Sequence, residues 1–198
     1  MDPGRPLTVA AVAGRVRAAA PRLGGTRLVL VDGPAGSGKT TFAGRLASAL
    51  GGDAAVLHLD DLYADWTITG AVARLRAGVL RPLADGNPGA FHRYDWAARR
   101  FCPDPTVVPA APVLLVEGCG SSPRVLDPWA VLRVWVEAPA DLRVARGLAR
   151  DGDALEFQWR RWQRTQAAEF AREDTRARAD LRIDGAATAG EGAIVVLE

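Results

Sequence analysis

A glycine-rich turn near the amino end holds the residues best suited to chemistry. Residues 33–40 read GPAGSGKT, which satisfies the pattern GxxxxGK[ST]. Glycines at such positions let successive backbone N–H groups surround a phosphate, and the positive end of the following helix adds to the attraction. Lys39 supplies a mobile positive charge for the β- and γ-phosphates, and the Thr40 hydroxyl can bind Mg²⁺. The residues expected to bind the nucleotide phosphates are Gly33, Ala35, Gly36, Ser37, Gly38, Lys39, Thr40 and Thr41.

The composition makes Lys39 more informative. The chain has 25 cationic residues, of which Lys39 is the only lysine. A sequence that uses arginine at every other cationic position keeps a compact ammonium here, where a planar guanidinium fork would not serve. This choice favours a chemical role for Lys39 over a turn that merely begins a helix.

Carboxylates follow two other apolar segments. Asp60 and Asp61 follow residues 56–59, and Glu117 follows residues 113–116. If these segments are strands, their acids lie at the carboxyl ends, where open α/β sheets bind ligands. Phosphoryl transfer needs an acid near the metal and a base for the acceptor hydroxyl. Either aspartate could serve as this base or as a ligand of metal-bound water, and the other could cap the next segment.

The elements that must position these residues alternate between short apolar strands and helices. Near-continuous apolar runs of four to six residues predict strands buried on both faces. Such an alternation indicates an α/β fold in three layers, with a mostly parallel five-stranded sheet covered by helices. The predicted strands are 27–32, 56–59, 113–116, 131–136 and 181–183, with a further one at 194–197, and the predicted helices are 8–20, 41–50, 69–84, 140–150 and 153–174.

Two local predictions concern the less regular parts of the chain. Residues 85–112 are rich in proline, glycine and aromatic residues and are predicted to form a loop. Asp153 and Glu156 have the spacing of a capping box, which predicts that the last helix begins there. Trp159, Trp162 and Phe170 recur near helical spacing and are expected to anchor that helix in the core.

Composition limits the class of protein. The 198 residues are 48% hydrophobic and 24% charged, which fits a single domain over residues 1–198, with an N-terminal helix within residues 1–25. A net charge of +2 gives no reason to expect nucleic acid as a partner. No apolar run reaches the ~20 residues of a membrane helix, and the start MDPGRPL does not resemble a secretory signal. Two cysteines form no disulfide framework, so we expect a cytoplasmic protein without a membrane partner.

The order of the motifs resembles the uridine kinase and phosphoribulokinase branch of the P-loop kinases. GPAGSGKTT is followed by DDLY at 60–63, VEG at 116–118, ADLRVARGLARD at 140–151 and ADLRIDG at 179–185. The resemblance runs from about residue 27 to 185 and implies the P-loop NTPase fold with a helical lid at about 140–160. After Asp151 the chain has Gly-Asp where the family has a further Arg-Gly pair, which implies a short lid.

The resemblance also implies roles for individual residues. Asp60 matches the acid that accepts the proton of the substrate hydroxyl, and Tyr63 matches an aromatic residue of the substrate pocket. Glu117 matches the acid associated with Mg²⁺, so that Thr40, Asp60 and Glu117 form the implied metal set. Arg146 and Arg150 match lid arginines that steady the transferred phosphoryl group.

One stretch departs from the family. The chain reads RYDW at 93–96 where the family has FDHP. The resemblance therefore makes Arg93, Tyr94 and Asp95 candidate substrate residues, with Asp95 in the position of a ribose contact. The open candidates for a pocket wall are Trp66, Trp96, Trp129 and Trp135. His58 is expected to pack, and Cys119 could face the nucleotide.

These observations predict an ATP- and Mg²⁺-dependent kinase that phosphorylates a hydroxyl group of a small molecule, with a nucleoside as one candidate. A kinase of a cofactor precursor or an antibiotic would use the same machinery. The alternative is an ATP-binding regulatory module or slow ATPase without an acceptor. A conventional GTPase is excluded, because its NKxD element needs a lysine and the only lysine already lies in the glycine-rich turn.

Overall fold

A computed structural model of the chain describes residues 7–187 and 193–197. Five of its strands form one sheet in the order β2-β5-β1-β6-β7, with every neighbouring pair parallel. The strands are β1 (Arg27–Asp32), β2 (Ala54–His58), β3 (Gly89–Asp95), β4 (Arg100–Val108), β5 (Val113–Glu117), β6 (Ala130–Glu137) and β7 (Leu181–Asp184).

Helices cover both faces of this sheet. They are α1 (Val9–Ala18), α2 (Lys39–Leu50), α3 (Ala71–Leu75), α4 (Arg81–Ala84), α5 (Ala140–Asp151) and α6 (Glu156–Glu173). A π-helical segment, Arg76–Leu80, joins α3 to α4, so the predicted helix at 69–84 is present with one wider turn. None of the helices in the described residues is long and apolar enough to cross a membrane.

Successive side chains of a strand point to opposite faces of the sheet, so the main sheet separates two hydrophobic cores. In β1, Leu28 and Leu30 point to one face of the sheet, and Val29 and Val31 point to the other. The valine face packs against α1 and α2, whereas the leucine face packs against α3, α4 and the β3–β4 strands. Since the central strands are buried on both faces, they read as continuous apolar runs. The predicted three-layer α/β fold is confirmed.

The prediction of a loop at 85–112 is wrong. β3 and β4 form a separate two-stranded antiparallel hairpin. Almost all of β4 is partly or fully exposed, and it contains Pro103 and Pro105. Proline is tolerated in an edge strand because some backbone N–H positions there have no hydrogen-bond partner in the sheet. Because proline is otherwise typical of loops, it makes such a strand hard to recognise from the sequence.

Two further predictions are corrected. Asp153 does not cap α6, because residues Asp153–Leu155 form a separate 3-10 turn and the helix begins at Glu156 without a side-chain cap. Residues 194–197 make only isolated bridges, such as Ile183 to Val196, and no strand. Residues 1–6 of the predicted N-terminal segment lie outside the described residues.

Helices α5 and α6 meet at the position predicted for the lid. They are joined through Gly152, which has a φ of +94°. The Trp159 ring packs directly on Gly147, where a Cβ atom would lie 2.3 Å from it. The indole N–H of Trp159 also donates to Asp151, 3.0 Å away. These contacts fold α5 and α6 against each other beside the glycine-rich turn.

Candidate active site

The glycine-rich turn packs tightly against the neighbouring backbone. Gly33 and Gly36 have φ values of +143° and +79°. A Cβ on Gly33 would lie 2.0 Å from the carbonyl oxygen of Val136, and one on Gly36 would lie 2.4 Å from that of Arg143. Larger residues would therefore push the turn away from β6 and α5. Glycine is required both for the backbone angles and for this close approach.

The Lys39 side chain folds back across the glycine-rich turn. Its Nζ donates to the carbonyl oxygen of Pro34 at 2.9 Å and lies 3.6 Å from Sγ of Cys119. Lys39 is only 7% exposed, yet it lines a large pocket above the turn. The ammonium is thus held at the pocket floor, where a phosphate would meet it together with the positive end of α2.

Glu117 lies at the end of β5 and links three elements. Its Oε1 accepts a hydrogen bond from Oγ1 of Thr40 at 2.9 Å and lies 2.6 Å from Nδ1 of His58. The structure therefore brings Thr40 and Glu117 together, as the resemblance implies. The expectation that His58 only packs is wrong, since its ring bonds this carboxylate.

The charge state of Glu117 follows from these partners. Burial alone would raise the pKa of Glu117, but the hydrogen bond from His58, the positive charge of Lys39 and the hydrogen bond from Thr40 outweigh it. The net pKa lies below its ordinary value. The same hydrogen bond to Glu117 raises the pKa of His58. Glu117 is therefore an anion that accepts two hydrogen bonds on one oxygen.

The two aspartates after β2 differ in position. Asp60 lines the pocket, whereas Asp61 is not among the pocket-lining residues of the described chain. Asp60 is an exposed residue at the pocket, but desolvation of its carboxylate by the surrounding protein atoms, followed by the negative charge of Glu117, raises its pKa. Burial and then the charge of Asp60 raise the pKa of Asp61. The geometry favours Asp60 as the acid that faces a ligand.

The donors in the pocket suit a magnesium ion. The Thr40 hydroxyl and the carboxylates of Asp60 and Glu117 line the same cavity, and all three are hard oxygen donors. Mg²⁺ usually takes one or two protein carboxylates and completes its shell with phosphate oxygens and water. The residues present fit this requirement.

Aromatic side chains form the other part of the pocket, which has a volume of about 620 Å³. The Tyr63 ring lies 5.3 Å from that of Trp162, and the Tyr63 hydroxyl donates to the carbonyl oxygen of Cys119 at 2.6 Å. The Trp66 ring lies 6.0 Å from Trp162 and 5.8 Å from Trp96. Trp159 also lines the pocket. Trp159 and Trp162 are thus both buried anchors of α6 and part of the pocket wall.

The three candidate substrate residues in the hairpin lie elsewhere. Arg93, Tyr94 and Asp95 are not among the pocket-lining residues of the described chain. Tyr94 is buried beneath Trp96, with 5.4 Å between the ring centroids. Asp95 accepts hydrogen bonds from two backbone N–H groups of the hairpin turn, at 3.0 and 2.9 Å. The structure brings Trp96 to the pocket in their place.

The two arginines predicted for the lid, Arg146 and Arg150, both line the pocket but have different partners. Arg146 donates to the carbonyl oxygens of Gly36 at 3.2 Å and Gly185 at 3.1 Å, so it bridges the glycine-rich turn and the segment after β7. Arg150 forms a two-point ion pair with Asp151, at 2.7 and 2.9 Å. The guanidinium of Arg150 is thus held by its neighbour and not by the glycine-rich turn.

A second cavity of about 300 Å³ adjoins the first. Gly38, Thr41 and Arg146 line both, so the two cavities meet at the start of α2. Asp184, the last residue of β7, and Gly185, which follows it, also line this second cavity. Thr41, predicted to bind the nucleotide, therefore lies between the two cavities.

Two buried side chains hold the site together and were missed by sequence reasoning. The Asp32 carboxylate accepts hydrogen bonds from the N–H groups of Gly33 at 2.7 Å, Gly120 at 2.9 Å and Ser122 at 2.9 Å. Oε1 of Gln166 in α6 accepts from the N–H of Ala35 at 2.9 Å. A charged residue at the end of an apolar strand could have marked Asp32. Nothing in the sequence marks Gln166.

No protein-family model matches the chain. Over 136 residues it is 26% identical to a uridine kinase of Halobacterium salinarum, a match that covers 61% of this chain and 60% of that protein. The chain therefore spans less than two thirds of the length of this curated relative.

Solved structures of similar shape cover more of the chain. A possible uridine kinase from Bacillus stearothermophilus has a TM-score of 0.62 at 17% identity, covering 88% of this chain and 96% of that one. A candidate fructose transport system kinase from Silicibacter sp. TM1040 has a TM-score of 0.59 at 24% identity, covering 89% and 98%. These likenesses confirm the fold. With the sequence match, they confirm the resemblance to the uridine kinase and phosphoribulokinase branch of P-loop kinases.

Proposed function

We propose that this P-loop kinase-like chain is an ATP- and Mg²⁺-dependent enzyme that transfers the γ-phosphoryl group to a hydroxyl group of a small molecule. One observation carries the proposal. A single pocket is lined by Lys39 and Thr40, which follow β1, by Asp60, which follows β2, and by Glu117, which ends β5. A cation for phosphate, oxygen donors for a metal and a separate acid are the parts that phosphoryl transfer requires.

The nucleotide would lie along the glycine-rich turn. The backbone N–H groups at the start of α2 and the Lys39 ammonium would bind the phosphates. The adjoining cavity, which shares Gly38, Thr41 and Arg146 with the main pocket, would receive the base. Thr40, Glu117 and Asp60 would hold Mg²⁺, directly or through water, and the ion would neutralise charge on the phosphate oxygens.

Asp60 would act as the base for the acceptor hydroxyl. Desolvation of this carboxyl group and the nearby charge of Glu117 raise its pKa, which makes the ionised form a better proton acceptor. Asp60 also lines the same pocket as the aromatic side chains, so an acceptor resting on them could place a hydroxyl next to it.

The lid arginines would complete the site. Arg146 already touches the glycine-rich turn, and Arg150 lies at the pocket wall. Arg150 would exchange Asp151 for the migrating phosphoryl group, since both are anions that bind a guanidinium at two points. This exchange would bring positive charge to the transition state and help to exclude water.

The acceptor would be an uncharged compound with a flat ring or sugar face, such as a nucleoside. Trp66 and Trp96 offer aromatic surface for such a face, in the manner of aromatic platforms that stack bases. The cations that line the pocket, Lys39, Arg146 and Arg150, belong to the glycine-rich turn and α5. We assign them to ATP and therefore propose no anionic group on the acceptor.

The cellular setting follows from the co-substrates. Cys102 and Cys119 are both free thiols in the structure. A reducing cytoplasm that supplies ATP and Mg²⁺ suits such a protein, and we place the reaction there.

The test is a panel of nucleosides, sugars and vitamin precursors screened for acceptor-dependent release of ADP from Mg²⁺-ATP. At least one hydroxyl compound should stimulate ADP release well above the rate without acceptor. Lys39→Ala should weaken ATP binding and abolish the stimulated rate, because the ammonium meets the phosphates. Slow ATP hydrolysis that no acceptor stimulates would instead identify a nucleotide-binding regulatory module. Full activity of Lys39→Ala would refute the site.

A further inference from the structure

His58 occupies a position that the proposed reaction has not used. It is the last residue of β2 and lies beside Glu117 on β5, in a pairing set by the register of the parallel sheet. Nδ1 of His58 is 2.6 Å from Oε1 of Glu117. The side chain of His58 is 45% exposed, whereas that of Glu117 is 5% exposed. The imidazole therefore reaches a buried carboxylate from the protein surface.

His58 contacts the carboxylate from outside the pocket. Glu117 lines the pocket, but His58 is not among the pocket-lining residues of the described chain. Thr40 reaches the same Oε1 atom from the start of α2, at 2.9 Å. One carboxylate oxygen is thus held by donors from two elements, the edge strand β2 and the helix α2.

This arrangement determines what each atom can do. An ionised carboxylate only accepts hydrogen bonds, so Nδ1 of His58 must carry a proton when Glu117 is charged. Both donors engage Oε1. Oε2 accepts no hydrogen bond from the described residues, so that it can face a ligand in the pocket.

We infer that His58 is a positioning residue that holds the Glu117 carboxylate in place for the Mg²⁺ of the bound nucleotide. This inference rests on the proposed function. Residues that bind metal ligands from behind fix their orientation, and their loss typically lowers metal affinity or activity about 10- to 100-fold. Without His58, Thr40 alone would hold Glu117, and Thr40 is itself a metal-binding candidate.

His58→Phe keeps a ring of similar size but removes the donor, and His58→Asn keeps an N–H donor attached to Cγ. We would titrate Mg²⁺ into each protein with ADP by calorimetry and repeat the ADP titration in EDTA. His58→Phe should raise the Mg²⁺ concentration for half-saturation about 10-fold or more. His58→Asn should stay within about 3-fold of the natural protein. ADP binding in EDTA should not change, since the His58 side chain hydrogen-bonds Glu117 and no phosphate-binding residue among the described residues.

The chain offers a matched control. His92, the only other histidine, is exposed and bonds the Cys102 carbonyl oxygen in the hairpin, at 2.9 Å. His92→Phe should leave the Mg²⁺ dependence unchanged. With only two histidines, ¹⁵N NMR can also read the protonation of each ring nitrogen directly. His58 should show a proton on Nδ1, and Glu117→Gln should alter its signal, whereas that of His92 stays the same.

The outcomes separate this inference from the proposed function. If the natural protein shows no Mg²⁺-dependent nucleotide binding, the proposed function fails and the inference falls with it. If the natural protein binds Mg²⁺ and ADP and His58→Phe binds them equally well, only the inference fails. Should His58→Phe not fold, the NMR signal of the natural protein decides, because an Nδ1 without a proton would also overturn the inference.

Discussion

At the scale of single residues, Asp60 is the acid on which the proposed chemistry depends most. Asp60→Asn keeps the size of the side chain but cannot accept a proton. We expect acceptor phosphorylation to fall about 10²- to 10⁴-fold, the usual contribution of a general base. The affinity for ATP in the absence of Mg²⁺ should change little, because the glycine-rich turn and Lys39 bind the phosphates. Single-turnover phosphorylation and calorimetric ATP binding would measure the two effects separately.

The neighbouring Asp61 is a natural control for this substitution. It has the same side chain and a pKa raised by the same cause, burial, but it does not line the pocket among the described residues. Asp61→Asn should therefore reduce turnover far less than Asp60→Asn. If Asp61→Asn reduced turnover more than Asp60→Asn, Asp61 would be the base. If both variants kept full turnover, neither aspartate would take part in the chemistry.

Sequence reasoning identified residues of the site that belong to compact motifs. Lys39 and Thr40 lie in one eight-residue pattern, and Glu117 directly ends an apolar strand. The contact between His58 and Glu117 could not be predicted, because it depends on the pairing of β2 with β5 across 59 residues. The same holds for Gln166, whose bond to the turn depends on where α6 packs.

At the scale of elements, the buried strands could be predicted and the hairpin could not. Strands of the main sheet are buried on both faces, so each is a short apolar run that stands out from its surroundings. β4 faces water over most of its length, and the pairing of β3 with β4 shifts register between His92 and Tyr94. The sequence of such a hairpin has neither the continuous apolar run nor the regular apolar–polar alternation that predicts a strand.

The hairpin matters because it carries one wall of the pocket. Arg99 in its turn forms an ion pair with Asp65, in the segment that follows Tyr63. Both residues have left-handed backbone angles, with φ values of +52° and +59°. The rings of Trp66 and Trp96, one from each segment, meet at 5.8 Å. The hairpin turn and the segment after Tyr63 thus form one continuous rim.

Trp96→Ala tests whether this rim binds the acceptor. Trp96 is 41% exposed and lines the pocket, so its loss removes stacking surface without opening the main core. Stacking on one aromatic ring contributes about 1–3 kcal/mol, which corresponds to a rise of about 5- to 150-fold in the KM for the acceptor. The KM for ATP should stay constant. Steady-state kinetics with each substrate varied in turn would show the split.

Phe157 provides a matched aromatic control. It is 72% exposed at the start of α6 and is not among the pocket-lining residues of the described chain. Phe157→Ala should leave the KM for the acceptor unchanged. If both substitutions acted alike, or if Trp96→Ala changed the KM for ATP instead, the hairpin would not be the acceptor wall.

At the scale of the whole molecule, the central strand connects the two cores to the site. β1 lies in the middle of the sheet and buries both of its faces, and it ends at Asp32, just before the glycine-rich turn. The three hydrogen bonds that Asp32 accepts join this turn to the segment after β5. The stability of the molecule and the shape of the site therefore share one buried carboxyl group.

Asp32 should make the stability of the protein depend on pH. Burial raises the pKa of Asp32 to about 6 from an ordinary value of 3.8, even though three backbone N–H groups and Lys39 favour the anion. Because the folded protein then holds this proton more tightly than the unfolded chain, stability is lost as pH rises from about 4 to about 6. A shift of this size corresponds to about 3 kcal/mol. Asp32→Asn cannot titrate, so it should lack this part of the slope.

Urea unfolding of the natural protein and Asp32→Asn at several pH values between about 4 and 7 would test this expectation. The amide that replaces the carboxyl group would direct a donor at an N–H group, so the variant should be less stable at every pH. The informative quantity is therefore the difference in the free energy of unfolding between the two proteins at each pH. The contributions of Asp60, Asp61 and Glu117 are common to both proteins and drop out of this difference. This difference should narrow as pH rises, because only the natural protein then has a charge to bury at this position. Parallel curves would mean that the three N–H groups compensate fully for the burial of the anion.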